Sequence, residues 1–155
     1  MRLSIKGRYA VMAMVDLAQQ GDGGPVSLAE IAERQEISLC YLEQLFAKLR
    51  RGGLVKSVRG PGGGYLLALG RDDTRIADII AAVDEPIHAV RCTPGSAVGC
   101  RGDRSRCLTH DLWEELSNQI HLYLSSVSLG DVCERRILGT SGLAQRENYR
   151  IAKVS

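Results

Sequence analysis

Apolar residues recur along the first third of the chain at helical rather than strand spacing. Residues 7–20 are apolar on most sides, with Arg8, Asp16, Gln19 and Gln20 forming a narrow polar strip, which predicts a mostly buried helix. The glycines and proline of residues 21–25 end it. Ser27 followed by Glu30 is a capping-box signature, and Leu28, Ile31 and Ala32 supply the stripe of a short second helix ending near Gln35. Ser38 is the next N-cap candidate and opens a third helix that runs to about Arg51. There Leu42, Leu45, Phe46 and Leu49 share one face, and Gly52 and Gly53 supply the stop.

The period then changes. Residues 54–58 and 65–69 read as two short strands around the glycine-rich run Arg59-Gly-Pro-Gly-Gly-Gly, a hairpin with a long tip. A further helix is predicted over 76–83, stopped by Pro86. Residues 88–107 have no period but hold three cysteines and four arginines. A helix of roughly 30 Å follows from about Thr109 to Ser128, with the stripe Leu112, Leu116, Ile120, Tyr123, Leu124 and Val127 and an additional Leu122 beside it. From Glu134 onward the pattern fades into a tail, and no internal repeat is visible. The fold class is mainly α with a small β-hairpin, in the order of a winged helix-turn-helix head followed by a long helix.

Composition narrows the picture. The 155 residues, 45% apolar and 25% charged, suit one domain or a small domain with an arm, and exclude disordered and collagen-like chains. Aromatics are only 5%, so the core must be mainly aliphatic. No apolar run approaches the length of a membrane helix. The basic start imitates a signal peptide, but the apolar run of residues 10–15 is short and ends at Asp16, so a cytoplasmic location is expected. Five cysteines, an odd number in a reducing compartment, argue against a disulfide framework and leave free thiols or metal ligands.

A net charge of +2 hides a local asymmetry. No acid occurs between Glu43 and Asp72, whereas Lys48, Arg50, Arg51, Lys56, Arg59 and Arg71 are basic. Opposite the apolar face of the third helix stand Cys40, Glu43, Gln44, Ala47, Lys48 and Arg51, short or polar groups able to enter a major groove. The set expected to meet double-stranded DNA is Ser38, Cys40, Tyr41, Glu43, Gln44, Lys48 and Arg51, with Arg59 and Gly60 from the hairpin tip. Arginine in a glycine-rich tip suits close approach to a narrow minor groove. A merely solvated hairpin is the alternative, and a phosphate-binding P-loop fits less well because the run lacks its Gly-Lys-Ser/Thr ending and leads into a strand. Glu43 is the exception on this face. It either pairs with Lys48 or Arg50, or discriminates by accepting from cytosine N4 and repelling the acceptors of guanine and thymine.

Cys92, Cys100, Cys107 and His110 are separated by seven, six and two residues. Three thiolates and an imidazole can hold an iron–sulfur cluster or a single zinc. The spacing lacks the paired knuckles of a zinc ribbon, and so wide a loop suits the larger group. Thr109 as N-cap would place His110 in the first helical turn, where the macrodipole favours neutral imidazole. A 2Fe–2S core on these ligands would carry a net negative charge, which Arg91, Arg101, Arg104 and Arg106 can offset with only Asp103 opposing. Cys40 and Cys133 stand apart as ordinary side chains, and His88 and His121 read as a loop residue and a helix-surface residue, either of which could serve as a spare ligand.

The segments Met1-Arg-Leu-Ser-Ile-Lys-Gly-Arg-Tyr-Ala-Val, Tyr41-Leu-Glu-Gln-Leu-Phe, Val58-Arg-Gly-Pro-Gly-Gly-Gly-Tyr and Cys107-Leu-Thr-His closely resemble the IscR family of bacterial regulators of iron–sulfur cluster assembly, over residues 1 to about 133. The resemblance implies a homodimer with a winged-helix head over residues 1–84 and a cluster-binding loop over 85–108. It further implies a dimerisation helix with a short following segment over 109–133, and the faded pattern leaves 134–155 as a tail. It implies a 2Fe–2S cluster on Cys92, Cys100, Cys107 and His110, repression of the cluster-assembly operon when the cluster is bound, and an apo form that acts at a different set of sites. The two-fold symmetry of a dimer in turn predicts a pseudo-palindromic operator. The cysteine loop is slightly longer than the family's pattern, Cys40 replaces a small polar residue, and the tail departs from it. Two other functions compete: a nitric-oxide sensor of the related NsrR type, which lacks the Cys107-x-x-His110 arrangement, and an iron–sulfur carrier, which needs no groove-reading surface. No nucleophile–base pair stands outside the metal loop, so neither an enzyme nor a small-molecule substrate is expected.

Overall fold

The computed structural model describes residues 4–85 and 99–137. Expectations placed on Cys92, Arg91, His88, Pro86 and residues 138–155 lie outside the described residues. Helix α1 (Ile5–Gln20) begins two residues before the predicted start, because Ser4 is extended and its hydroxyl accepts from the Lys6 amide. The Glu85 carboxylate, far along the chain, also accepts from the amides of Ser4 and Gly7. Ala10, Ala13, Met14 and Leu17 are fully buried, so α1 is the axis of the core. Its small residues let neighbouring backbones approach.

The polar strip of α1 is not uniformly exposed. Asp16 within it is 3% exposed and holds α2 (Leu28–Gln35) against α1. Arg34 donates to both of its oxygens, at 3.1 Å through Nε and 2.7 Å through Nη2, and Gln35 Nε2 donates at 2.7 Å. Burying a carboxylate is tolerable only with such donors.

The capping box of α2 is formed as predicted, with Ser27 accepting from the Glu30 amide and Glu30 accepting from Ser27. Helix α3 (Leu39–Arg51) buries Leu42, Leu45, Phe46 and Leu49, the predicted face. Phe46 meets Tyr65 edge-on at 4.9 Å, one of few aromatic contacts in an aliphatic core.

Strands β1 (Val55–Val58) and β2 (Gly64–Leu67) pair antiparallel, Val55 opposite Leu67 and Val58 opposite Gly64. Val26 adds a single antiparallel bridge to β2 by exchanging backbone bonds with Tyr65 at 3.0 and 2.8 Å. That approach requires glycine at position 64, where a Cβ would lie 2.3 Å from the Val26 carbonyl oxygen.

Helix α4 (Ile76–Ala82) packs on α1, and α5 (His110–Ser126) packs on α4. After α5 the chain returns to the head. Ile76 donates to Val127 at 3.0 Å and Leu129 donates to Thr74 at 2.9 Å. A separate helix α6 (Leu129–Cys133) follows, under a second capping box of Ser128 and Asp131. Leu129 is fully buried beside α1, so this segment completes the head's core. The long helix is therefore about 26 Å of α5, at 1.5 Å per residue, followed by a break. No helix among the described residues is long and apolar enough to cross a membrane.

Candidate nucleic-acid interface and metal centre

The α2–α3 pair and the hairpin set out the first surface. Ser38 occupies the N-cap position of α3, although its side chain makes no capping bond. Cys40, Glu43 and Gln44 are exposed, with Gln44 Nε2 lying 4.0 Å from Cys40 Sγ. Tyr41 is half-buried, edge-on to Tyr9 at 6.0 Å, which ties the start of α3 to α1. Arg51, Arg59 and Gly60 are exposed, and Gly60 has φ 103°, a conformation that keeps the hairpin tip tight. The basic run is not uniformly free. Lys48 bonds to Asp84 at 2.8 Å and Arg71 to Glu134 at 3.0 Å. Among the described residues Arg50, Arg51, Lys56 and Arg59 form no ion pair, and Glu43 pairs with neither Lys48 nor Arg50. Asp84, 36 residues from Lys48, was missed by reading sequence neighbours alone.

The second surface lies at the start of α5. Residues 99–105 fold back on themselves: Gly99 donates to Arg104 at 2.9 Å and Arg101 to Ser105 at 3.2 Å. Arg104 takes a left-handed φ of 67°, and a Cβ at Gly99 would lie 2.1 Å from the Ser105 oxygen. This tight loop closes the six-residue gap in the cysteine spacing. It sets Cys100 Sγ 3.0 Å from His110 Nδ1. His110 is the first residue of α5, as predicted, and is 6% exposed. Its amide donates to the Cys107 carbonyl at 3.0 Å, so Cys107 sits one turn before it, half-buried, with Sγ 3.6 Å from Thr109 Oγ1. Thr109 holds the N-cap position without a side-chain capping bond. Three of the four predicted ligands thus lie in one short stretch of structure, and the fourth, Cys92, lies outside the described residues.

The charge balance differs from the sequence reading in one respect. Asp103 is occupied by Ser105, whose hydroxyl and amide bonds hold its carboxyl below the ordinary range. The acids that face the site are instead Asp111 and Glu114 on the first turns of α5. Glu114 Oε2 lies 3.7 Å from His110 Nε2, and Arg106 reaches Asp111 at 3.7 Å and Glu114 at 4.0 Å. The His110–Glu114 spacing of four is legible in the sequence as a helical pair, but Glu114 lies beyond the cysteine-rich loop on α5 itself. Ligand atoms of His110, Asp111 and Glu114 fall within 4.8 Å of one another, yet Arg106 sits across both carboxylates. The donors suited to a soft metal are therefore the thiols and the imidazole. Cys133, by contrast, packs against α1 with its thiol pushed up by burial, and Cys40 and His121 stand on helix surfaces as expected.

The sequence profile of the Rrf2 family, described as iron-dependent transcriptional regulators, matches residues 3–135. The chain belongs to the Rrf2 family. Among its relatives, the HTH-type transcriptional regulator IscR of Photorhabdus laumondii is 52% identical over 151 residues, covering 97% of this chain and 90% of the relative. IscR of Klebsiella pneumoniae is 50% identical over 155 residues, covering 99% and 93%. Two solved Rrf2-type structures superpose closely. IscR of T. potens has a TM-score of 0.71 at 40% identity, covering 88% of each chain. CymR, the global cysteine regulator of B. subtilis, has 0.73 at 34% identity, covering 87% of this chain and 98% of its own. The winged-helix fold and the resemblance to IscR both stand, and like its Rrf2 relatives this chain is a DNA-binding transcription regulator rather than an enzyme.

Proposed function

We propose that this chain is an iron–sulfur-sensing repressor of the cluster-assembly operon. It acts in the cytoplasm as a homodimer on a pseudo-palindromic operator and represses when a 2Fe–2S cluster is bound. The single observation that carries the metal reading is the 3.0 Å approach of Cys100 Sγ to His110 Nδ1, ten residues apart, with Cys107 one turn away. Thiolates hold 2Fe–2S clusters and imidazole can stand in for thiolate on the iron, so these residues offer suitable donor chemistry. Cys92, Cys100, Cys107 and His110 would hold it, and the cluster would supply a redox-labile, charged group whose presence reports cluster supply. On the DNA side, Gln44 and Arg51 would read the major groove and Arg59 the minor groove, while exposed Glu43 would select against guanine and thymine edges. The uncovered outer side of α5 supports its role as the dimerisation helix.

Anaerobic purification followed by absorption spectroscopy and iron and sulfide assay tests the cofactor. Wild type should show a bound cluster, and Cys100→Ala should lose it while remaining folded. Full iron and sulfide in Cys100→Ala would overturn the ligand assignment. Selection from a random duplex pool tests the DNA reading, and should return sites with two-fold symmetry and half-sites about one helical turn apart.

A further inference from the structure

Lys48 lies in the row Cys40, Gln44, Lys48 and Arg51, which runs along the exposed side of α3 at helical spacing. It does not reach outward as a free cation. Its Nζ bonds to Asp84 Oδ2 at 2.8 Å, and Asp84 is the second residue past the end of α4. The contact is built by the backbone. Asp84 adopts a left-handed φ of 56° and donates its amide to the Ala81 carbonyl at 3.1 Å, a conformation aspartate and asparagine tolerate. The next residue, Glu85, accepts from the amides of Ser4 and Gly7 at the start of α1, so residues 84–85 are clamped between α1 and α3. The Lys48 bond, with the charges of Arg51 and Lys6, holds the Asp84 carboxyl below its ordinary range. Asp84 therefore faces Lys48 as a carboxylate at neutral pH.

We propose that Asp84 is an affinity-limiting residue of the DNA-binding face, whose carboxylate keeps Lys48 out of phosphate contact and so weakens binding to any duplex. This rests on the DNA-binding reading of α3. A compact Lys–Asp pair presents no net charge to the duplex and displaces no condensed cations, whereas a free lysine beside a phosphate displaces about one. Weak sequence-independent binding matters to a regulator because competing genomic sites outnumber its operators by orders of magnitude.

The experiment compares wild type, D84N, K48M and the double variant D84N/K48M. Each is titrated between 50 and 200 mM salt against a random-sequence duplex and a duplex that wild type selects from a random pool. Asparagine preserves the left-handed turn, and melting curves confirm that each protein is folded. D84N should bind both duplexes roughly three- to ten-fold more tightly at physiological salt, with a log–log salt slope steeper by about 0.9 per head. In the K48M background the same substitution should change neither quantity. Unchanged or weaker binding by D84N would overturn the proposal, since Asp84 would then be neutral or would position Lys48 productively. An equal gain from D84N in the K48M background would also overturn it, because the carboxylate would be acting as a general repulsive charge. If wild type bound no duplex, the DNA reading itself would fail and this inference with it. A wild type that binds while D84N matches it removes only the inference.

Discussion

Helices α3 and α5 carry equally regular apolar stripes and meet different fates. On α3, Leu42, Leu45, Phe46 and Leu49 are at most 3% exposed, because α1, α2, α4 and β1 close over them. On α5, Leu112 is 61% exposed, Leu122 60% and Tyr123 53%, while Leu116, Ile120 and Leu124 are half-buried. Only α4 packs substantially on α5 among the described residues. A hydrophobic period predicts that a face seeks cover, but not whether the same chain supplies it. In the head the chain covers itself. Along α5 the cover is left to a second copy in the proposed homodimer.

The comparison breaks most visibly at Phe46. Phe46→Ala should cost about 3–5 kcal/mol, since a fully buried ring leaves a cavity in a self-contained core. Urea denaturation reads this as a lower midpoint at unchanged slope. Arg34→Met should cost about 2 kcal/mol, because it strands the Asp16 carboxylate with Gln35 as its remaining side-chain donor. Thermal melts of the variant against wild type check it.

Acid should loosen the head by a smaller amount. Burial alone pushes Glu85 up, but its bonds from Ser4 and Gly7 and the charge of Lys6 outweigh this and hold the carboxyl below the ordinary range. The Ser27 bonds do the same for Glu30, and the Ser128 bonds for Asp131. A depressed folded-state pKa means stability that is fully present above the unfolded value, about 4, and is lost as pH falls through the folded value. Melting temperature should therefore drop on acidification below about pH 4, and Glu85→Gln should flatten that drop. A pH series of melts on both proteins measures it. The smallest effect on folding is expected on α5. Leu122→Glu should leave the stability of the head within about 0.5 kcal/mol yet shift the protein to monomer in sedimentation. A dimer unchanged by this substitution would place the interface elsewhere.

How far the sequence could be read follows the range of the interactions. Contacts within one helical turn were legible: the Ser27–Glu30 box, the buried row of α3, and the placement of His110 at the start of α5. The Ser128–Asp131 box is written in the same local form, directly after the last residue of the α5 stripe. The candidate metal donors were visible as residue types, whereas the loop that brings Cys100 to His110 depends on backbone bonds between residues 99 and 105.

The order of elements through α5, the aliphatic core and the candidate donor residue types were determined by the sequence alone, since each rests on local period, capping chemistry or residue type. Pairings across the chain were decided only by the tertiary structure: Asp16 with Arg34, Glu85 with the start of α1, Lys48 with Asp84, and Leu129 with the head's core. The physical reason is that a charge or an apolar side chain written in sequence has many equivalent partners. The fold selects one by distance and by what it removes from water.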